Sequence, residues 1–285
     1  MKILITGDEG FVGREFHRQL HHQGHITGID IKSGHDCRDY FRNAEPEVFD
    51  LVIHLAAIVG GRLKIEGDPL SVATDLSIDA EMFNWALRTK QKRIVYFSSS
   101  AAYPIEHQTE AYTLHEDDID LTAIKNPDLT YGWAKLTGEY LAKFANEAGI
   151  KTHVFRPFSG YGADQDLDYP FPSFIDRAKR LRDPFEIWGD GNQVRDFIHI
   201  SDIVRAVMAA VDQDYLEPLN LGCGRATSFN ELAHLVTKEA DYKPIFKHID
   251  NPIGVSYRVA DVTNMLKVYK PRISLEEGIR KSLWT

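Results

Sequence analysis

Two cysteines, Cys37 and Cys223, are all that 285 residues carry. They cannot build a disulfide framework, and neither sits at the close spacing of a metal-ligand pair. A disulfide-poor chain suits a reducing compartment, so a soluble cytoplasmic protein is expected. Long apolar runs are also missing. The longest, around Leu51 to Gly61, is about half of the roughly 20 residues a membrane-spanning helix needs. Basic residues are outnumbered, 33 against 42 acidic, for a net charge of −9. That balance argues against nucleic acid as a partner, because a phosphate footprint needs clustered Lys and Arg. Twenty Gly and twelve Pro leave no room for a large low-complexity region. The N-terminus opens on a strand-like run, Met1 to Gly7, without the organisation of a signal peptide. With 43% apolar residues, the chain can bury a sizeable core.

The first half alternates short apolar runs with longer helical patterns. Strands are expected at Lys2–Thr6, His25–Asp30, Leu51–Leu55, Arg93–Ser98 and Thr152–Phe155, and helices at Gly13–His22, Pro69–Thr89 and Tyr131–Glu147. Near-continuous apolar strands, each followed by a helix, form parallel sheets covered on both faces. The rhythm breaks between Phe158 and Pro172, then resumes with a helix at Ser173–Leu181, a strand at Phe185–Trp188 and a turn at Gly189-Asp190-Gly191. The expected fold is α/β: a Rossmann-type doubly wound domain over residues 1–162, to which 196–222 returns, and a smaller α+β substrate-binding lobe over 163–285. Ligands should lie between them, outside the carboxyl ends of the strands.

Three motifs carry chemistry. Gly7, Gly10 and Gly13 follow the first strand and open a helix, where backbone N–H groups can approach a pyrophosphate. Asp30 ends the second strand; an acid there accepts from ribose hydroxyls and repels a 2′-phosphate, which favours NAD over NADP. Tyr131 and Lys135 are four apart and share a helix face. A phenol titrates near 10, so ionising it at pH 7 needs about 4 kcal/mol, and a neighbouring ammonium has the right sign to help. Such pairs also occur by chance. The hydroxyls of Ser98, Ser99 and Ser100 end the fourth strand, where an open sheet binds ligand, although serines there also satisfy loose backbone groups.

On these motifs the chain resembles the extended short-chain dehydrogenase/reductases, specifically their sugar-nucleotide epimerases and dehydratases. Further matches are Asp36-Cys37-Arg38-Asp39, His54-Leu55-Ala56-Ala57, Arg156-Pro157-Phe158-Ser159-Gly160-Tyr161-Gly162, the run Gly189 to Phe197, Leu221 to Ser228 with Glu231-Leu232, and Ser274 to Gly278. The resemblance implies Tyr131 as acid/base on a sugar hydroxyl, Ser99 hydrogen-bonding the same oxygen, and Lys135 lowering the phenol's pKa and holding the nicotinamide ribose. It implies cofactor contacts from Gly7, Gly10, Phe11, Val12, Gly13, Asp30, Asp36, Cys37, Leu55, Ala56, Ala57, Tyr131, Lys135 and Pro157. Substrate contacts are implied for Ser99, Ser100, Ser159, Phe185, Trp188, Arg195 and Arg258, with Arg195 gripping a diphosphate. Core packing accounts for Phe185 and Trp188 equally well. The partners implied are a nucleoside-diphosphate sugar and a second copy, through a four-helix bundle of Pro69–Thr89 and Tyr131–Glu147.

Departures narrow the reaction. Family dehydratases carry an Asp-Glu pair just after the catalytic hydroxyl; here those positions are Ser100 and Ala101, which cannot transfer a proton usefully. The fucose-synthase-like branch has a Cys at Ala101, and its His aligns most nearly with Tyr169. Double epimerisation is therefore disfavoured, even though Val59-Gly60-Gly61, Tyr103-Pro104, Pro252-x-Gly254 with Arg258, and Asp261-Val262-Thr263 look closest to that branch. Asp75 stands where the family often has Asn. The expected activity is NAD-dependent inversion at C4 of a nucleoside-diphosphate sugar through a 4-keto intermediate. The alternatives are an NAD(P)H-dependent 4-keto-sugar reductase and a non-catalytic nucleotide sensor, which would have no need of Ser99, Tyr131 and Lys135 together. His17, His21, His22 and His25 are read as a solvated face, and no metal is expected.

Overall fold

A computed structural model describes the chain except Gly61, Ala111, Pro252, Ile253 and Thr285, and of residues 62–64 it gives the backbone alone. Gly61 and Pro252, two of the residues matched above, thus lie outside the described residues. The chain opens with β1 (Lys2–Thr6), α1 (Phe11–Leu20), β2 (His25–Ile29), α2 (Cys37–Asn43) and β3 (Leu51–His54). It continues through α3 (Arg62–Gly67), α4 (Ser71–Arg88), β4 (Arg93–Phe97), α5 (Leu129–Glu147) and β5 (Lys151–Pro157).

These strands explain their own sequences. Side chains alternate between faces along a strand, and here both faces are covered. Ile3, Ile5, Leu51, Ile53, Val95, Phe97 and Phe155 point to one core, under Phe16 and Leu20 of α1. Leu4, Val52, Ile94, Tyr96 and Val154 point to the other, under Ile78, Met82 and Trp85 of α4 and Ala142 and Ala145 of α5. With no polar face to keep, the runs read as continuously apolar.

The remaining elements are β6 (Ser159–Tyr161), α6 (Pro170–Lys179), β7 (Phe185–Trp188), β8 (Val194–His199), α7 (Ile200–Asp212), β9 (Leu219–Leu221), β10 (Ala226–Ser228), α8 (Phe229–Glu239), β11 (Phe246–Ile249), β12 (Tyr257–Arg258), α9 (Thr263–Val268) and α10 (Leu275–Trp284). The main sheet is parallel throughout, in the order β2-β1-β3-β4-β5-β9. Its carboxyl edge therefore gathers Gly7, Asp30, Leu55, Ser98 and Phe158, the residues that follow five of its strands. The doubly wound sheet with a second lobe is the architecture expected.

Details differ. Of the stretch 196–222, α7 packs on the first core and β9 extends the main sheet, but β8 pairs with β6, β10 and β12 in a separate sheet. The helix expected at Ser173–Leu181 begins at Pro170, because proline suits a first helical turn, where its missing N–H costs nothing. A third core joins α6, α8 and α10 to β7 and β8. Asp196 of β8 is fully buried and accepts from the backbone N–H groups of Cys223 (2.7 Å), Gly224 (2.9 Å) and Ala260 (3.2 Å). One carboxylate thereby ties the lobe's chain segments together beside Arg195.

Candidate active site

Gly10 caps α1 without a side-chain hydrogen bond, and the first turn of the helix carries no acid. Its leading N–H groups and the positive end of its dipole suit an anion. Gly7 sits at φ +72°, and a Cβ on Gly13 would stand 2.4 Å from the carbonyl oxygen of Gly7. The loop is thus as tight as a pyrophosphate cradle requires. Phe11 and Val12 lie half-buried against the first core.

Asp30 is buried and bridges this loop to the chain after β2, accepting from the backbone N–H groups of Glu9 (3.0 Å) and Lys32 (2.8 Å). Asp36 caps α2 and is gripped by Arg38, which holds its carboxyl below the usual range despite partial burial. Cys37 turns its thiol into the second core, where burial pushes it up to about 12, so any cofactor contact there would fall to its backbone. Leu55, Ala56, Ala57 and Pro157 line the sheet edge, each partly exposed.

The catalytic candidates converge at the end of β4. The Ser99 hydroxyl accepts from the Ala101 N–H at 3.1 Å and hydrogen-bonds the Tyr131 phenol, favouring its ionised form. So the strand-end hydrogen bond and the contact with Tyr131 coexist in one side chain. Gly132 makes the approach possible: a Cβ there would lie 2.3 Å from the Ala101 carbonyl. Leu129, two residues before Tyr131, holds φ +58°, a left-handed conformation rare for a branched side chain, at the point where α5 turns in. Lys135 is 4% exposed, and its ammonium lies 5.8 Å from the Tyr131 ring centroid and 5.3 Å from that of Tyr96. Burial raises the Tyr131 phenol above its ordinary pKa, and the carboxylates of Asp75 and Asp79 push the same way.

Of those two acids, the sequence reading met Asp75 only as a departure from the family and missed Asp79. Asp79 accepts from Tyr96 Oη at 2.6 Å and pairs with His54 Nε2 at 3.2 Å, and His54 Nδ1 meets Thr6 Oγ1 at 2.8 Å. Although burial opposes it, Lys135, His54 and Tyr96 together hold Asp79 below the usual carboxylate range. The legible signal was spacing: Asp75 and Asp79 are four apart, as are Tyr131, Lys135 and Glu139, so each set shares a helix face.

Among the substrate candidates, Arg195 donates to the carbonyls of Val194 and Val255, both at 2.8 Å, and lies 5.5 Å from the Phe229 ring. Arg258 donates to Gln108 at 2.7 Å and to Asp128 at 2.5 Å. Ser159 is half-buried, Ser100 is buried and Trp188 is 37% exposed. For Phe185, which the sequence left open between substrate contact and core packing, the structure favours the core. Phe185 has no exposed surface and packs edge-on against Phe174 and Phe246, so it belongs to the lobe's core. Elsewhere, His17 pairs with Asp8 at 3.1 Å, and no group of metal-binding side chains occurs among the described residues.

A model of the NAD dependent epimerase/dehydratase family matches residues 3–222. The chain belongs to that family. Among its relatives, GDP-mannose 3,5-epimerase of Arabidopsis thaliana is 31% identical, over 98% of this chain and 80% of the relative. The structure of Thermotoga maritima UDP-glucose 4-epimerase with UDP-glucose superposes at a TM-score of 0.82 and 26% identity, covering 99% of this chain and 97% of that one. MoeE5 in complex with UDP-glucose and NAD gives 0.83 and 27%, over 99% and 97%. The chain is an NAD-dependent enzyme of the sugar-nucleotide epimerase and reductase type. No helix among the described residues is long and apolar enough to cross a membrane.

Proposed function

We propose that the protein inverts C4 of a nucleoside-diphosphate sugar through a 4-keto intermediate, with Tyr131 as the acid/base. The observation that carries this reading is the convergence of Ser99, Tyr131 and Lys135 at the carboxyl edge of the sheet, with no proton-transferring side chain at the two positions that follow Ser99. Ser100 and Ala101 are both buried there and neither exchanges protons at neutral pH. Inversion at C3 or C5, or elimination of water, needs such a group.

The uncapped start of α1 and the Gly7–Gly13 loop would hold the pyrophosphate of NAD, Asp30 a ribose, and Lys135 the nicotinamide ribose. NAD supplies a reversible hydride acceptor at C4. The protein's own residues do the rest. Ser99 donates to the C4 oxygen and orients it, and Tyr131 removes the hydroxyl proton and returns it after the keto sugar has turned. The Ser99 hydroxyl opposes the effect of burial on that phenol, and Lys135 would add an ammonium of the right sign. Arg195 and Arg258 would grip the diphosphate, and Trp188 has the exposed ring to cover a base. A second copy would dock on the exposed stripe Trp133, Tyr140 and Phe144 of α5 and on Leu76 and Leu87 of α4.

A 4-keto-sugar reductase is the second reading. It is favoured by Arg14 and Lys32, whose side chains both reach the Glu9 carbonyl beside Asp30 and could meet a 2′-phosphate. Denaturing the purified protein and assaying what it releases separates the two. Stoichiometric NAD, with C4 inversion of a UDP-, GDP-, CDP- or dTDP-hexose seen by NMR without added cofactor and lost in Tyr131→Phe, is the expected result. An empty protein that consumes NADPH, or solvent deuterium entering C3 or C5, would overturn the proposal.

A further inference from the structure

Asp75 has no task in the scheme above, yet it is held at the centre of the site. It and Asp79 stand one turn apart on α4, each 3% exposed. Asp79 is committed to Tyr96 and His54. Asp75 accepts from the backbone N–H of Ile58 at 2.5 Å, on the segment that follows Ala56 and Ala57 at the sheet edge. A neutral asparagine would accept the same bond, so the bond does not explain the charge.

The groups around Asp75 are Asp79 on its own helix and Lys135 and Tyr131 on α5, while His54 on β3 and Tyr96 on β4 face Asp79. Lys135 acts on both carboxylates without an ion pair to either among the described residues. With both acids ionised, two negative charges face one ammonium, and the pocket is net negative. Such a pocket stabilises a cation that enters it, and low solvent exposure keeps the attraction from being screened. The two redox states of a nicotinamide differ by this charge: the oxidised ring is cationic and the reduced ring neutral.

We propose that Asp75 is a positioning charge that biases the bound cofactor toward its oxidised state, by making the pocket prefer a cationic nicotinamide ring to a neutral one. This rests on the reading that Lys135 and Tyr131 flank that ring. An enzyme that returns its cofactor oxidised in every turnover gains from the bias, because bound NADH is the state that strands it. The preference requires the ionised carboxylate. Burial pushes Asp75 up to about 6, against the opposing effects of the Ile58 N–H and Lys135, so the bias should be full at pH 8 and fade toward pH 5.

The test is a titration of cofactor-stripped wild type and Asp75→Asn with NAD and with NADH, followed by tryptophan fluorescence at pH 8 and pH 5. Asp75→Asn should shift the ratio of the two dissociation constants about tenfold toward NADH at pH 8, which corresponds to a charge interaction of about one pKa unit. The wild-type ratio should approach the variant's at pH 5. The difference between the two proteins removes any contribution common to both. An unchanged ratio in a folded variant that binds both cofactors overturns the inference. Should Asp75→Asn fail to fold, a wild-type ratio that is flat between pH 5 and pH 8 overturns it equally. Lys135→Met separates this from the underlying reading: if it leaves the affinity for both cofactors intact, the ring does not lie where the proposed function puts it.

Discussion

Arg156 of β5 and Glu139 of α5 form a two-point ion pair, Nε to Oε1 at 2.9 Å and Nη2 to Oε2 at 2.7 Å, with each side chain 2% exposed. Ser98 donates to the same carboxylate, and the remaining guanidinium nitrogen reaches the Glu116 carbonyl at 2.7 Å and Tyr103 Oη at 3.1 Å. Every arm of the buried charge is thus answered. Glu139 lies one turn after Lys135, so the pair pins the helix that carries Tyr131 and Lys135 to the strand beside β4.

Breaking one partner of such a pair leaves an uncompensated buried charge. Glu139→Ala should destabilise the protein by about 3–5 kcal/mol in urea unfolding. The double variant Glu139→Met/Arg156→Met should lose much less. Equal losses in the two would mean that packing, not charge, holds α5.

The glycine loop makes a sharper prediction. A methyl group on Gly13 would meet the Gly7 carbonyl at 2.4 Å and the Asp8 Cα at 2.5 Å. These are backbone atoms that cannot step aside. Overpacking of this kind costs about 1–3 kcal/mol, so Gly13→Ala should weaken NAD binding by roughly ten- to a hundredfold in calorimetry. Wild-type affinity in Gly13→Ala would mean that α1 does not start where NAD binds.

Asp75 also bears on stability. Burial raises its pKa in the folded protein to about 6, from an ordinary value of 3.8. Between those values the folded state binds the proton more tightly than the unfolded chain, so stability falls as pH rises through the window. The loss amounts to about 3 kcal/mol. Asp75→Asn has no such proton. It should match wild type near pH 4 and exceed it by about that amount at pH 7, read from urea midpoints. Asp196, raised to about 6 by burial as well, contributes equally to both proteins and cancels.

The proposed dimer rests on Trp133, Tyr140 and Phe144, which are 42%, 40% and 46% exposed along one face of α5. Phe144→Glu would place a charge in that apolar contact. Light scattering should show wild type as a dimer and the variant as a monomer at micromolar concentration. A wild-type monomer sinks the assignment.

The sequence by itself determined five strands of the main sheet, the helices α1, α4 and α5, the glycine turn, and the shared face of Tyr131 and Lys135, but not the short helices α2 and α3. Each feature so determined is written in a local period: alternation between two covered faces for the strands, 3.6 residues per turn for the helices, and close glycine spacing for the loop. Tertiary structure decided the rest. That Glu139 meets Arg156, that Asp75 and Asp79 face Lys135, that Phe185 fills a core rather than a site, and that β8 leaves the main sheet all depend on which surfaces come together. The field at Tyr131 is a sum over side chains from α4 and the turn after β4, and its sign followed only once burial had removed the water that would have screened them.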